Sequence, residues 1–134
     1  VYKRQQNNRS QLKKTADNTL IIDAYNANPT SMQASISNFR KMEVENKMLI
    51  LGDMRELGKD GPEEHQKIAD FLTECGFKDV MLVGDQFAAA KHTFPTYPDA
   101  PAVIEVLQKN KPHGKTILIK GSNGIKLSTV IDYL

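Results

Sequence analysis

The chain has 134 residues, 40% of them hydrophobic and 25% charged, which suits one compact domain and leaves little room for a second; at this length folding buries roughly two-thirds of the unfolded surface, so no disulfide or metal staple is required. Eighteen basic residues against sixteen acidic ones leave a net charge of +2, too little to argue for a nucleic-acid or anionic-membrane partner, either of which calls for a clustered basic stripe. The single cysteine, Cys75, excludes an intramolecular disulfide and fits a reducing compartment; with no run of about 18 apolar residues and no signal-peptide pattern, a cytoplasmic protein is expected.

The chain opens at Val1 without an initiator Met and runs through the polar Gln5-Gln6-Asn7-Asn8. This reads as a cut in an interdomain linker, so residues 1–8 are expected to be linker or a foreign start and 9–134 the domain itself. Lys3, Arg4, Arg9, Lys13 and Lys14 make this the one locally basic stretch, read as a solvated domain edge. Residues 10–15 can add an edge strand through a hairpin at Asp17-Asn18.

Leu20-Ile21-Ile22 is a buried-strand run, broken by the polar stretch up to Pro29. Met32, Ile36 and Phe39 then follow at the i, i+4, i+7 spacing of one helix face. Met48-Leu49-Ile50-Leu51 is a second strand that stops at Gly52-Asp53. Pro62 suits a first helical position, with Glu63 and Glu64 in the favourable first turn. The stripe Ile68, Phe71, Leu72 and Cys75 continues that helix, and Gly76 sits where a left-handed C-terminal cap belongs. Val80–Val83 is the third strand, ending at Gly84-Asp85. The stretch 86–98 predicts a short helix and then a short strand near Phe94, with Pro95 and Pro98 arguing against regular pairing. A helix over Ala102–Gln108, a strand over Thr116–Ile119 and a final helix from about Ile125 to Leu134 complete the chain.

Strands and helices alternate, and the strands are apolar throughout rather than on one side. That pattern predicts a parallel sheet covered on both faces. The expected architecture is α/β, a Rossmann-like three-layer domain with a mostly parallel open sheet of about six strands.

Such sheets bind ligands at the carboxyl ends of their strands, and the chemically unusual residues fall there. Asp23, Tyr25, Asn26, Asn28 and Pro29 follow the first core strand; Gly52, Asp53 and Glu56 follow the second; Asp85 follows the third; Lys120, Gly121 and Ser122 follow the last. Polar loops and strand-ending glycines explain part of this pattern. Asp-Ala-Tyr-Asn-Ala-Asn-Pro is denser in donors and acceptors than a plain turn needs. The stretch Gly52–Asp60 only faintly resembles a P-loop: it has one residue too many between its glycines, and Asp60 stands where a magnesium-binding hydroxyl is required. A dinucleotide turn is absent too, so any nucleotide is expected to be shared with another domain.

Three motifs in order, Asp23-Ala-Tyr-Asn-Ala-Asn-Pro-Thr-Ser-Met32, Leu51-Gly-Asp-Met-Arg-Glu-Leu-Gly58 and Lys120-Gly-Ser122, resemble the third domain of the Mur ligases. The likeness runs from Asn7 to Leu134. The Tyr-Asn-Ala-Asn-Pro form resembles the branch that adds D-alanyl-D-alanine, whereas other branches of the family tend to carry Tyr-Ala-His-x-Pro. The resemblance implies a three-domain bacterial ligase of peptidoglycan precursor synthesis. Its first domain holds a UDP-N-acetylmuramoyl tripeptide, and its central domain carries the P-loop and most ligands of ATP and Mg2+. The third domain closes over the nucleotide. The tripeptide is activated as an acyl phosphate, attacked by the dipeptide amine, and ADP and phosphate leave. A monomer, inactive as an isolated domain, is implied.

The resemblance also suggests roles. Arg9 approaches the nucleotide, where an always-charged guanidinium suits phosphate or ribose oxygens; the plain alternative is a linker arginine. Asp23 receives the ribose hydroxyls, or simply forms a turn. Tyr25 and Asn26 line the ATP site, and Asn28 the dipeptide site, with Asn28 before Pro29 equally able to cap a helix. Asp53 and Glu56 stand near the dipeptide amine, against capping and loop roles. Lys120 and Ser122 suit the dipeptide carboxylate, against a surface lysine and a capping serine. His65 shares its helix's apolar stripe and is read as structural; His92 and His113 are read as surface residues, and a lone cysteine without ligand-like histidine spacing gives no zinc site.

Two other modules share the architecture. A phosphoacceptor receiver domain would use Asp23, Asp85 and Lys120, but it needs a neighbouring acidic pair where this chain has Ala24 and Tyr25. A folylpolyglutamate synthetase domain takes a glutamate acceptor, and the Tyr-Asn-Ala-Asn-Pro form argues against it.

Overall fold

The computed structural model describes residues 11–23, 29–44, 46–54, 58–121 and 127–134. Among these residues six strands form one sheet: β1 (Gln11–Lys14), β2 (Thr19–Asp23), β3 (Lys47–Gly52), β4 (Val80–Val83), β5 (Thr96–Tyr97) and β6 (Thr116–Lys120). Among the same residues four α-helices accompany them: α1 (Pro29–Lys41), α2 (Gly61–Cys75), α3 (Asp85–Ala89) and α4 (Ala100–Lys109). The sheet order is β1-β2-β6-β3-β4-β5. β1 runs antiparallel to β2, while every other pairing is parallel.

The expected α/β three-layer architecture is therefore the observed one, and side-chain alternation builds it. Leu49 and Leu51 of β3 point into a cluster with Met32, Ile36 and Phe39 of α1, Ile68 and Leu72 of α2 and Phe87 of α3. Their neighbours Met48 and Ile50 join Ala100, Val103 and Leu107 of α4, with Val130 and Leu134, on the opposite face. The chain moves from β2 across to β3, β4 and β5 in one direction, then returns to lay β6 between β2 and β3. Right-handed crossovers put the outward helices on one face and the return helix on the other.

The local signals place the helices well. α2 begins one residue before Pro62 and ends at Cys75, where Gly76 adopts φ 79° and the Phe77 amide returns to Leu72 O. α4 starts at Ala100, earlier than its apolar pattern suggested, because Asp99 Oδ1 accepts the Ala102 amide as N-cap. The β1–β2 hairpin forms as expected, closed by Thr15 and Asn18.

Two expectations are refined. The short strand expected near Phe94 falls at Thr96–Tyr97. Pro95 has no N–H to give to a ladder, so it offers only its carbonyl, which accepts from Leu82 N at 3.1 Å. Phe94 packs instead into the α1–α3 cluster. The last helical segment, Leu127–Tyr133, is a 3₁₀-helix rather than an α-helix. Its greater rise per residue carries Leu134 O to Asn18 Nδ2 at 2.8 Å and Thr15 Oγ1 at 2.9 Å.

Candidate functional site

The return of β6 between β2 and β3 creates a switch point in strand order, the place where open α/β sheets bind ligands at their carboxyl ends. Asp23 and Lys120 are register partners there, and Leu51 partners Lys120 from the other side. One pair further along, Gly52 partners Val83. Asp23, Lys120 and Asp53 thus share one edge of the sheet. Lys120 is 1% exposed, so the sequence reading of a surface lysine is excluded. Arg9, Tyr25, Asn26, Asn28, Glu56 and Ser122 lie outside the described residues, as does the side chain of Asp23.

Asp53 is the best-defined member of the edge. Its own amide donates to Val83 O at 2.9 Å, which turns the chain just past β3. The carboxylate is buried and accepts two amides, Gln86 N on Oδ2 and Phe87 N on Oδ1, each at 3.0 Å. It therefore caps α3 from a distant strand, placing negative charge at the helix's positive end. The capping role foreseen for Asp53 is realised, though on α3, a helix distant from it in the chain. A carboxylate has about four lone-pair sites, so two hydrogen bonds do not exhaust it.

Beside it lies His65, fully buried. Its Nδ1 is 2.6 Å from Gly61 O, and the Met54 amide donates to Nε2 at 2.9 Å. A carbonyl can only accept and an amide can only donate, so the ring is the neutral Nδ1–H tautomer. Asp53 Oδ1 stands 3.8 Å from Nε2, too far for a hydrogen bond. The Phe87 ring meets the imidazole edge-on at 4.7 Å. The structural reading of His65 holds.

His92 is not a plain surface residue. Its Nε2–H donates to Phe87 O at 2.8 Å and Nδ1 accepts from Phe94 N at 3.1 Å, so it ties the end of α3 to the approach to β5. His113 is exposed and lies 3.2 Å from Asp17, where Lys111 also reaches the carboxylate. The Lys111 hydrogen bond, and then that of His113, hold the Asp17 carboxyl below its ordinary range. Burial pushes the Tyr97 hydroxyl up.

An open cleft of about 490 Å³ lies at the other end of the sheet, lined by Met48, Val80, Met81, Tyr97, Val106 and Lys115 among others. Its volume is within the range of small-molecule sites. The polar strand-end residues lie away from it, and Lys115 is already paired with Asp79, so the switch-point edge is the better candidate. Among the described residues no group of three His, Cys, Asp or Glu could hold a metal ion, and no helix is long and apolar enough to cross a membrane.

A mostly parallel open α/β sheet with helices on both faces defines a domain of the doubly wound class. Its relatives make the class specific. The family profile described as "Mur ligase, glutamate ligase domain" matches residues 8–123, and the chain belongs to the Mur ligase family. It is similar to the UDP-N-acetylmuramoyl-tripeptide–D-alanyl-D-alanine ligase of Rickettsia prowazekii, 31% identical over 123 residues, which cover 85% of this chain and 27% of that protein. The ligase of the same name from Bacillus subtilis is 34% identical, covering 84% of this chain and 27% of its own length. The chain thus spans just over a quarter of the curated relatives it matches. Among solved structures, MurF from Acinetobacter baumannii superposes with a TM-score of 0.75 at 26% identity, over 92% of this chain and 29% of that one. MurF ligase from Thermotoga maritima, solved in complex with ADP, shares the fold at a TM-score of 0.78 and 21% identity, over 93% and 30%. The receiver-type and folylpolyglutamate synthetase alternatives find no support among these relatives.

Proposed function

We propose that this chain is the C-terminal domain of an ATP-dependent ligase that joins UDP-N-acetylmuramoyl tripeptide to D-alanyl-D-alanine in peptidoglycan precursor synthesis. The observation that carries the reading is the meeting of Asp23, Lys120 and Asp53 at one strand-end edge, each from a different motif of the ordered set. The names of the curated relatives support the choice of reaction.

On this reading the tripeptide carboxylate attacks the terminal phosphate of ATP and ADP leaves. The dipeptide amine then attacks the acyl phosphate; an amide bond forms and phosphate leaves. Arg9, Asp23, Tyr25 and Asn26 serve the nucleotide. Asn28, Lys120 and Ser122 serve the dipeptide, with Asp53 and Glu56 near its amine. A pre-set cation and carboxylate at one edge suit a zwitterionic dipeptide, and enclosure between domains keeps the acyl phosphate from water. Mg2+ is assigned mainly to the central domain, as the family resemblance implies. The enzyme is read as a cytoplasmic monomer whose partners are these substrates and its own N-terminal and central domains, with no nucleic acid or membrane. The single domain has no activity alone.

The test is phosphate release by the full-length enzyme, given ATP, Mg2+ and UDP-N-acetylmuramoyl tripeptide, with and without D-alanyl-D-alanine. Release should depend on the dipeptide and fall on Asn28→Ala. Release indifferent to the dipeptide would remove the acceptor assignment.

A further inference from the structure

We infer that His65 is a positioning residue for Asp53 at the dipeptide side of the site, acting through the Met54 amide and the Phe87 ring. The inference rests on the ligase reading above. One imidazole joins the end of the β3 turn to the start of α2: Nε2 takes the Met54 amide at 2.9 Å and Nδ1–H gives to Gly61 O at 2.6 Å. Met54 follows Asp53 directly. The ring is fully buried and wedged edge-on against Phe87, whose amide Asp53 binds. His65 therefore couples three things that must agree for the acceptor to be placed: the turn after β3, the start of α2, and the helix that holds the Asp53 carboxylate.

A buried apolar residue would fill the space and leave Met54 and Gly61 unlinked. That is the difference between packing and positioning, and it can be tested. Gln offers an acceptor near Nε2 and a donor near Nδ1, whereas Asn reaches only the Nδ1 partner and Phe neither. In the full-length enzyme, His65→Phe should raise KM for D-alanyl-D-alanine or lower kcat by about tenfold or more, while KM for ATP and for UDP-N-acetylmuramoyl tripeptide stays within about twofold. His65→Gln should recover most of that loss and His65→Asn little of it. Losses spread equally over all three substrates, or no dipeptide effect in any variant, would overturn the inference. If His65→Phe fails to fold, the Gln and Asn pair still decides it. Nitrogen NMR of histidine-labelled wild-type enzyme near pH 8 should show Nδ1 protonated and Nε2 bare, and the opposite tautomer would end the argument. Wild-type enzyme whose phosphate release ignores the dipeptide would instead refute the ligase reading itself, and this inference with it, whatever the tautomer.

Discussion

Gly84 lies so close to Asp53 that a Cβ built on it would come within 2.2 Å of the Asp53 carboxyl carbon. Its backbone, at φ 119° and ψ 163°, is one that only glycine adopts readily. The carboxylate cannot retreat without leaving the Gln86 and Phe87 amides. Gly84→Ala should therefore destabilise the domain by about 3 kcal/mol or more, combining backbone strain with overpacking. Urea denaturation measures it, and a loss under about 1 kcal/mol would contradict the geometry.

Removing the carboxylate tests the cap itself. Asp53→Ala leaves two helix amides unpaired and should cost about 1–2 kcal/mol, with Asp53→Asn costing less because one amide acceptor survives. Hydrogen exchange at Gln86 and Phe87 should speed up in the alanine variant. Unchanged protection at both amides would mean that α3 finds another cap.

Asn18 links three separate parts of the chain. Its Nδ2 donates to Pro112 O and Leu134 O, and its Oδ1 accepts from Lys115 N. The side chain is buried, so Asn18→Ala leaves these polar groups without their partner. A loss of about 2–3 kcal/mol is expected, with fraying of the Leu127–Tyr133 segment before global unfolding. Asn18→Asp should also destabilise, since an oxygen would then face both carbonyls.

Burial raises the Cys75 thiol above its ordinary value of 9.0, with the Arg40 charge pulling weakly the other way. The native state then holds the thiol proton more tightly than the unfolded chain does. Stability from this group is present below about pH 9 and falls as pH rises through the unfolded and then the native value. Iodoacetamide should label native Cys75 more slowly than the urea-unfolded chain at pH 8, because less thiolate is available. Equal rates would show an exposed, ordinary thiol.

Much of the fold was legible in the chain. Continuous apolar runs such as Met48–Leu51 cannot face water on either side, so a parallel sheet between two helical layers follows from composition at those positions. Gly76, Pro62 and the Asp17-Asn18 turn act through local backbone preferences, and each stands where local reasoning put it. The ordered motifs identified the family for the same reason: a site spread over strand ends leaves its residues at intervals that the chain itself records.

The tertiary structure decided the partners. That Asp53 caps a helix more than thirty residues away, that Asn18 grips the last residue described, and that His65 has one tautomer depend on groups brought together only by the crossover of β6 and the stacking of α2 on α3. Lys120 looks like any lysine after a strand, yet it is buried because β2 and β3 close on it from both sides. Periodicity records which face of an element is apolar; it holds no information on which distant amide meets a given carboxylate. Sequence therefore determined the layers and the family, and packing determined which polar atoms could be buried and what each of them binds.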